Sequence, residues 1–216
     1  MTETAATTTP RERYRRQVRA EIKERAWEQI ASAGTTALSL NKIAKIMGLS
    51  GAGLYRYFTS RDALLTELVR DAYQSLADTF RAVADGGESD LRSMARALRA
   101  WALADPQRYF LVYGPPVPGY RGPADRTSTM SDILSQIRGA CDAAARKGYS
   151  GPVCGPAAEP GEDREDLDPG SAQRRAVAFW TRLHGVLSLE LSGHFAGMDI
   201  DPALLYEAEL DLLAIG

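Results

Sequence analysis

The stretch Ser39–Phe58, SLNKIAKIMGLSGAGLYRYF, decides the fold. Leu40, Ile43, Ala44 and Met47 recur at helical spacing behind Ser39, which can cap the helix. Gly48 permits the left-handed backbone of a tight turn, and Ser50 can cap a second short helix running to about Phe58. Leu49 and Leu54 fill the space between the two helices, and Ala44 is small where they must cross. These are the parts of a helix-turn-helix. Upstream, Val18, Ile22, Ala26, Ile30 and Ala33 make one helical face between about Arg11 and a Gly34 stop. Downstream, Thr59-x-x-Asp62 opens a long helix with the stripe Leu65, Leu68, Ala72, Leu76 and Val83, closed by Gly86–Gly87.

Leu91, Met94, Leu98 and Trp101 predict a fifth helix ending near Asp105–Pro106, followed by a short aromatic turn of helix over Gln107–Tyr113. The run GPPVPGYRGP at 114–123 cannot be a helix interior. Helices are expected over 124–147, 171–195 and 201–215. An acidic Gly/Pro-rich loop occupies 148–170, and residues 1–10 read as a disordered tail. No stretch alternates like a strand, so the expected fold class is all-α. It comprises a helix-turn-helix domain over 11–60 and a helical domain over 61–216.

Composition narrows the function. Apolar residues are 44% and charged residues 25% of 216, the balance of an ordinary globular protein. No apolar run approaches a membrane span and the N-terminus lacks the apolar core of a secretory signal, so a cytoplasmic protein without membrane contact is expected. Cys141 and Cys154 fit neither a zinc pattern nor a disulfide framework. The net charge of -2 is uneven: residues 1–60 carry +5 and the remainder -7. A basic front on an acidic body points to a polyanion met at the front, although charge blocks also arise as solvated faces. Arg11, Arg13, Arg15, Arg16 and Arg19 cluster at the first helix, and one or two of them are expected to reach DNA phosphates or a minor groove. Glu12, Glu21 and Glu24 interleave with them.

The pattern I-A-x-x-M-G-L-S-x-x-x-L-Y-R-Y-F-x-S-R-x-x-L-L, lying between Ala37 and Leu68, resembles the DNA-binding domain of the tetracycline-repressor (TetR) family. The resemblance implies three DNA-binding helices joined by a long helix to an all-helical ligand-binding and dimerisation domain. It assigns phosphate contacts to Lys42, Tyr55, Tyr57 and Arg61, and base-facing positions to Ser50, Gly51, Ala52, Tyr55 and Arg56. Gly51 and Gly53 depart from the family's usual Pro-Gly or Pro-Ala, and each glycine costs a helix about 1 kcal/mol relative to alanine. The recognition helix is therefore expected to tighten on binding DNA, unless packing of Leu54 and Phe58 already holds it.

A second resemblance lies in the C-terminal half. Trp180-x-x-x-His184-Gly185 is similar to the signature of one TetR C-terminal subtype, implying a dimeric regulator with an internal pocket. Trp101, Tyr109, Phe110, Tyr113, Trp180 and His184 are the candidate lining of that pocket, suited to a small, mostly apolar effector of unknown identity. Val177, Trp180, His184, Leu187, Leu191 and His194 form one stripe of the 171–195 helix. Thr181, Gly185, Ser188 and Ser192 form another, of small residues that let a second helix approach. With Leu205, Ala208 and Leu212 it is the expected four-helix homodimer interface. Glu190 and His194 are spaced to meet, but two residues make no metal site, and no cofactor is expected.

Enzyme motifs fail on inspection. GLSGAG has Ala52 where G-x-S-x-G needs its last glycine, GAGLYR lacks the last glycine of a dinucleotide fingerprint, and S-x-x-K at Ser39–Lys42 is a chance pattern whose serine serves better as a cap. The expectation is a ligand-responsive repressor on a pseudo-palindromic operator. The alternatives are an activator of the same family, or a ligand-binding protein whose head no longer binds DNA.

Overall fold

Thr9 and Glu12 start the first helix. The Glu12 amide donates to Thr9 Oγ1 at 3.3 Å and the Thr9 amide donates to Glu12 Oε2 at 2.8 Å, a complete capping box. Helix α1 therefore runs Pro10–Ala33, one residue earlier than the apolar stripe indicates, with Pro10 in its first turn. The computed structural model describes residues 9–87, 90–123, 126–146 and 169–214. The expected disorder of residues 1–8, most of the acidic loop, and Cys154 lie outside the described residues.

A short 3-10 turn (Thr35–Ala37) leads to α2 (Leu40–Ile46), α3 (Gly51–Tyr55) and α4 (Arg61–Asp85). Then come α5 (Leu91–Ala104), α6 (Pro106–Tyr113), α7 (Arg126–Arg146), α8 (Pro169–Leu191) and α9 (Pro202–Ala214). Every regular element among the described residues is helical, as the patterning requires. At α4 and α8 local bonds move a helix end from its expected place. Helix α4 is capped by Ser60, whose Oγ accepts from the Ala63 amide at 3.0 Å, rather than by Thr59. Helix α8 stops at Leu191 because Gly193 takes φ 74° and the His194 amide donates back to Leu189 O at 2.9 Å, a Schellman closure.

The chain divides into two compact units, residues 1–71 with 115–123, and residues 72–114 with 124–216. In the first, Ile22, Ala26, Ile30, Ile43, Leu54, Phe58, Leu64, Leu65 and Leu68 are buried. The non-helical run 115–123 belongs to this unit, where the Tyr120 and Thr66 hydroxyls lie 3.2 Å apart.

In the second unit Leu76, Phe80, Leu98, Trp101, Ile133, Ile137, Phe179, Leu183, Leu187 and Tyr206 form the core. Tyr206 donates its buried hydroxyl to Ala95 O at 2.7 Å, joining α9 to α5. The same helices are laced by Arg92–Asp211 (2.7 Å) and Arg96–Glu207 (3.1 Å), exposed pairs whose contribution solvent screening keeps small.

Candidate functional site

In the first unit the turn between α2 and α3 is fixed by local bonds. Gly48 takes φ 64°, a conformation that costs a glycine nothing, and the Leu49 amide reaches back to Ala44 O at 2.9 Å. Ser39 Oγ accepts from the Lys42 amide (3.4 Å) and Ser50 Oγ from the Gly53 amide (3.0 Å), so both short helices begin where the sequence places their caps. Such caps contribute about 1 kcal/mol each. Leu54 and Phe58 anchor α3 from beneath. That leaves Lys42, Ser50, Gly51, Ala52, Tyr55 and Arg56 exposed together, with Tyr57 half-buried. Residues 39–60 contain three basic side chains and no acid, so this face carries positive charge without local neutralisation. Helix α3 is shorter than expected. It ends at Tyr55, with Arg56 as its cap and the Tyr57 amide closing a turn on Leu54 O at 2.8 Å.

Arg61, expected at a phosphate, is engaged within its own chain. Its Nε donates to Leu38 O (3.2 Å), one terminal nitrogen donates to Thr35 O (2.9 Å), and the other lies 3.5 Å from Asp62. The guanidinium ties the start of α4 to the 3-10 turn through two of its N–H groups. Arg19 is similarly engaged. It donates to Tyr57 O at 2.6 Å, pairs with Glu67 at 3.1 Å and lies 4.3 Å above the Phe58 ring. Neither engagement is local in sequence, so only tertiary structure reveals it.

Gly51 and Gly53 also separate. A Cβ at Gly51 would have Asn41 Oδ1 as its nearest neighbour, at 4.0 Å, whereas a Cβ at Gly53 would press on the capping Ser50 Oγ at 3.1 Å. Gly51→Ala is expected to raise stability by up to about 1 kcal/mol, and Gly53→Ala to give no gain. Urea melts of the two variants test this, and equal gains would contradict the crowding at Ser50.

The second unit brings all six expected pocket residues into one cluster. Tyr109 lies 5.3 Å from Tyr113, 5.6 Å from Phe110 and 6.5 Å from Trp101, ring to ring. His184 lies 4.1 Å from Trp180 and 4.3 Å from Tyr113. Tyr73 of α4 joins at 6.1 Å from Tyr113, a member that sequence reasoning missed. The Tyr109 hydroxyl sits 3.0 Å from His184 Nδ1 and 2.8 Å from Ser188 Oγ, while the Trp101 indole donates to Ser75 Oγ at 3.1 Å.

Two buried polar atoms in this cluster have no hydrogen-bond partner, Tyr113 Oη and His184 Nε2. Nε2 is a donor in one tautomer and an acceptor in the other; Tyr113 can do either. Burial pushes the His184 pKa down to about 3, so the ring is neutral near pH 7, and burial raises Tyr113 well above its ordinary value.

Family models match both units. Residues 22–68 match the bacterial regulatory proteins of the tetR family, and residues 91–213 match the Tetracyclin repressor-like C-terminal domain. The chain belongs to the TetR family. It is a DNA-binding transcriptional regulator. The HTH-type transcriptional regulator Rv1816 of Mycobacterium tuberculosis is 37% identical over 217 residues, covering 92% of each chain. The crystal structure of the regulatory protein SCO4313 is 56% identical, with a TM-score of 0.81 over 95% of this chain and 98% of that one. PfmR of Thermus thermophilus, a TetR family transcriptional regulator at 18% identity, shares the fold with a TM-score of 0.60 over 90% of this chain and 97% of its own.

Within the small-residue stripe of this TetR-family chain, Ser188 is placed apart from the others. Ser188 turns inward to Tyr109, because it lies one helical turn beyond His184 and shares its face. The outer row of α8 is instead Val177, Thr181, Gly185 and Leu189, all exposed, with exposed Ser192 just past its end. On α9 the exposed row is Leu204 (69%), Ala208 and Leu212 (55%), while Leu205 is half-buried. His194 leaves the inner stripe with the early end of α8, and Glu190 pairs with Arg99 at 2.5 Å rather than with His194. Among the described residues no three His, Cys, Asp or Glu side chains gather as a metal site.

Proposed function

We propose that this TetR-family protein is a homodimeric repressor, released from a pseudo-palindromic operator by a small uncharged molecule. Two copies of α3 would enter successive major grooves about 34–36 Å apart. Tyr55 and Arg56 would lie against bases, and Lys42 with Tyr57 would grip the backbone. No turnover is part of this reading, and the site of action is the cytoplasm. No helix among the described residues is long and apolar enough to cross a membrane.

The observation carrying the effector half is the pair of unpartnered atoms, His184 Nε2 and Tyr113 Oη, within an aromatic cluster. A buried polar group without a partner costs about 1–3 kcal/mol, which an incoming hydrogen-bonding group recovers. Neutral His184 brings no positive charge to balance a carboxylate, so an uncharged, mostly apolar ligand fits best. Such a ligand releases DNA only by binding the non-operator conformation more tightly than the operator-bound one. The exposed rows of α8 and α9 would form the dimer seam, where small residues allow close helix approach.

The test is a mobility shift with DNA flanking the protein's own gene, repeated with a library of neutral aromatic compounds. Retention of that DNA, lost on adding one compound, supports the proposal. Retention that every library compound leaves intact, in a protein whose melting temperature none of them raises, would overturn the effector half. Lys42→Ala should lower the slope of log affinity against log salt by about 0.9 per monomer, as expected for one lost phosphate contact. An unchanged slope removes Lys42 from the backbone contacts.

A further inference from the structure

The buried stripe of α1 does not end where the core ends. Three residues before Val18 comes Arg15, and four before that Arg11, on the same helical face as Ile22. Where α1 overhangs the core, its inward face thus turns from apolar to cationic. These two arginines, with Tyr14, Tyr57 and Arg56, line a groove of about 510 Å³. Thr9 and Glu12 line it too, and the Glu12 carboxylate is engaged there by the Thr9 amide and hydroxyl at 2.8 and 2.9 Å. Arg11, Arg15 and Arg56 are all exposed, and the structure pairs none of them with a described carboxylate. Arg19, next along the same side, is already held by Tyr57 and Glu67, which marks where packing ends and the groove begins.

We infer that this groove is a second DNA-contacting element, which seats the sugar-phosphate backbone beside the major groove entered by α3. Arg11 and Arg15 hold phosphates, and Arg56 joins the groove to the recognition helix. Of the five arginines at the start of α1, the fold thereby selects two. The inference rests on DNA binding by α3 and extends the footprint beyond the helix-turn-helix.

The test needs no known operator, because backbone contacts are independent of sequence: a mixed-sequence duplex of roughly three helical turns suffices. Affinity is measured by fluorescence anisotropy across a salt series. The R11A/R15A variant should lose about 3.6 from the salt slope per dimer, at about 0.9 per phosphate for four phosphates. Between 50 and 200 mM salt the wild type should then weaken roughly 150-fold more than the variant. The charge-matched R13A/R16A variant, off the stripe, should keep the wild-type slope, and R11K/R15K should restore it.

A slope equally reduced in both alanine pairs would overturn the inference in favour of diffuse charge. An R11A/R15A slope equal to that of the wild type would overturn it outright. Failure of the lysine pair to restore the slope would overturn the backbone assignment. Circular dichroism melts confirm that each variant is folded, since the exchanged side chains are exposed. If the wild type retains no duplex at low salt, DNA binding by the whole head fails. If it binds normally and only the groove variants are silent, this inference alone fails.

Discussion

Gly185→Arg is expected to convert the protein into a folded monomer that no longer holds its operator. Gly185 sits mid-helix on the exposed row of α8, and a Cβ placed there meets nothing within 4 Å in its own chain. The fold should therefore tolerate the arginine. It gains up to about 1 kcal/mol of helix propensity over glycine. In a two-fold interface the same patch faces itself, so each arginine would drive a long charged side chain into a seam built for close approach, opposite its own copy.

Loss of pairing removes the second half-site contact, and avidity of roughly 10²–10⁴ goes with it. Sedimentation velocity should show a single-chain species with native helicity, and a mobility shift should show no retained complex. A variant that stays dimeric would remove α8 from the interface. Ser188→Arg behaves differently. It would break the 2.8 Å contact with Tyr109 and place a charge among aromatic rings, so unfolding should precede any effect on assembly.

The wild type should lose stability more steeply than His184→Gln between pH 6.5 and pH 4. His184 Nε2 is sealed from water, and its pKa falls to about 3. Its surroundings are Tyr109, Tyr113, Trp180 and Ser188, and burial is the cause of the shift with no charged partner opposing it. In the unfolded chain the group titrates near 6.5. The folded pKa is depressed, so the unfolded state binds the proton first as pH falls. The stabilisation is complete above about pH 6.5 and declines toward pH 3, by roughly 1.4 kcal/mol per pH unit.

Across pH 6.5 to 4 the wild type should thus weaken by roughly 3 kcal/mol relative to a glutamine variant, whose side chain can hydrogen-bond but not titrate. Urea midpoints at half-unit pH steps measure the difference. Parallel curves for the two proteins would show that His184 is not held neutral by burial. A polar molecule seated on Nε2 would change the wild-type slope further, which links this measurement to effector binding.

The sequence by itself determined whatever depends on neighbours three or four residues apart. The Ser39 and Ser50 caps, the left-handed Gly48, the α1 stripe and the gathering of aromatics on α6 and α8 are all set by helical repeat and local hydrogen bonds, so the all-α fold and the exposed α3 face were legible. The reading of residues 1–10 as a disordered tail missed the T-x-x-E pattern of the Thr9–Glu12 cap, which starts α1 at Pro10.

Tertiary structure decided which way side chains at the margin of a stripe turn. Ser188 belongs to Tyr109, 79 residues away, and Arg61 to carbonyls 23 and 26 residues back; Tyr73 enters the cluster from another helix. Each helical step is about 100°, so a residue between two faces is assigned only by the partner that packs against it. That partner is distant in the chain, and a one-dimensional pattern carries no record of it.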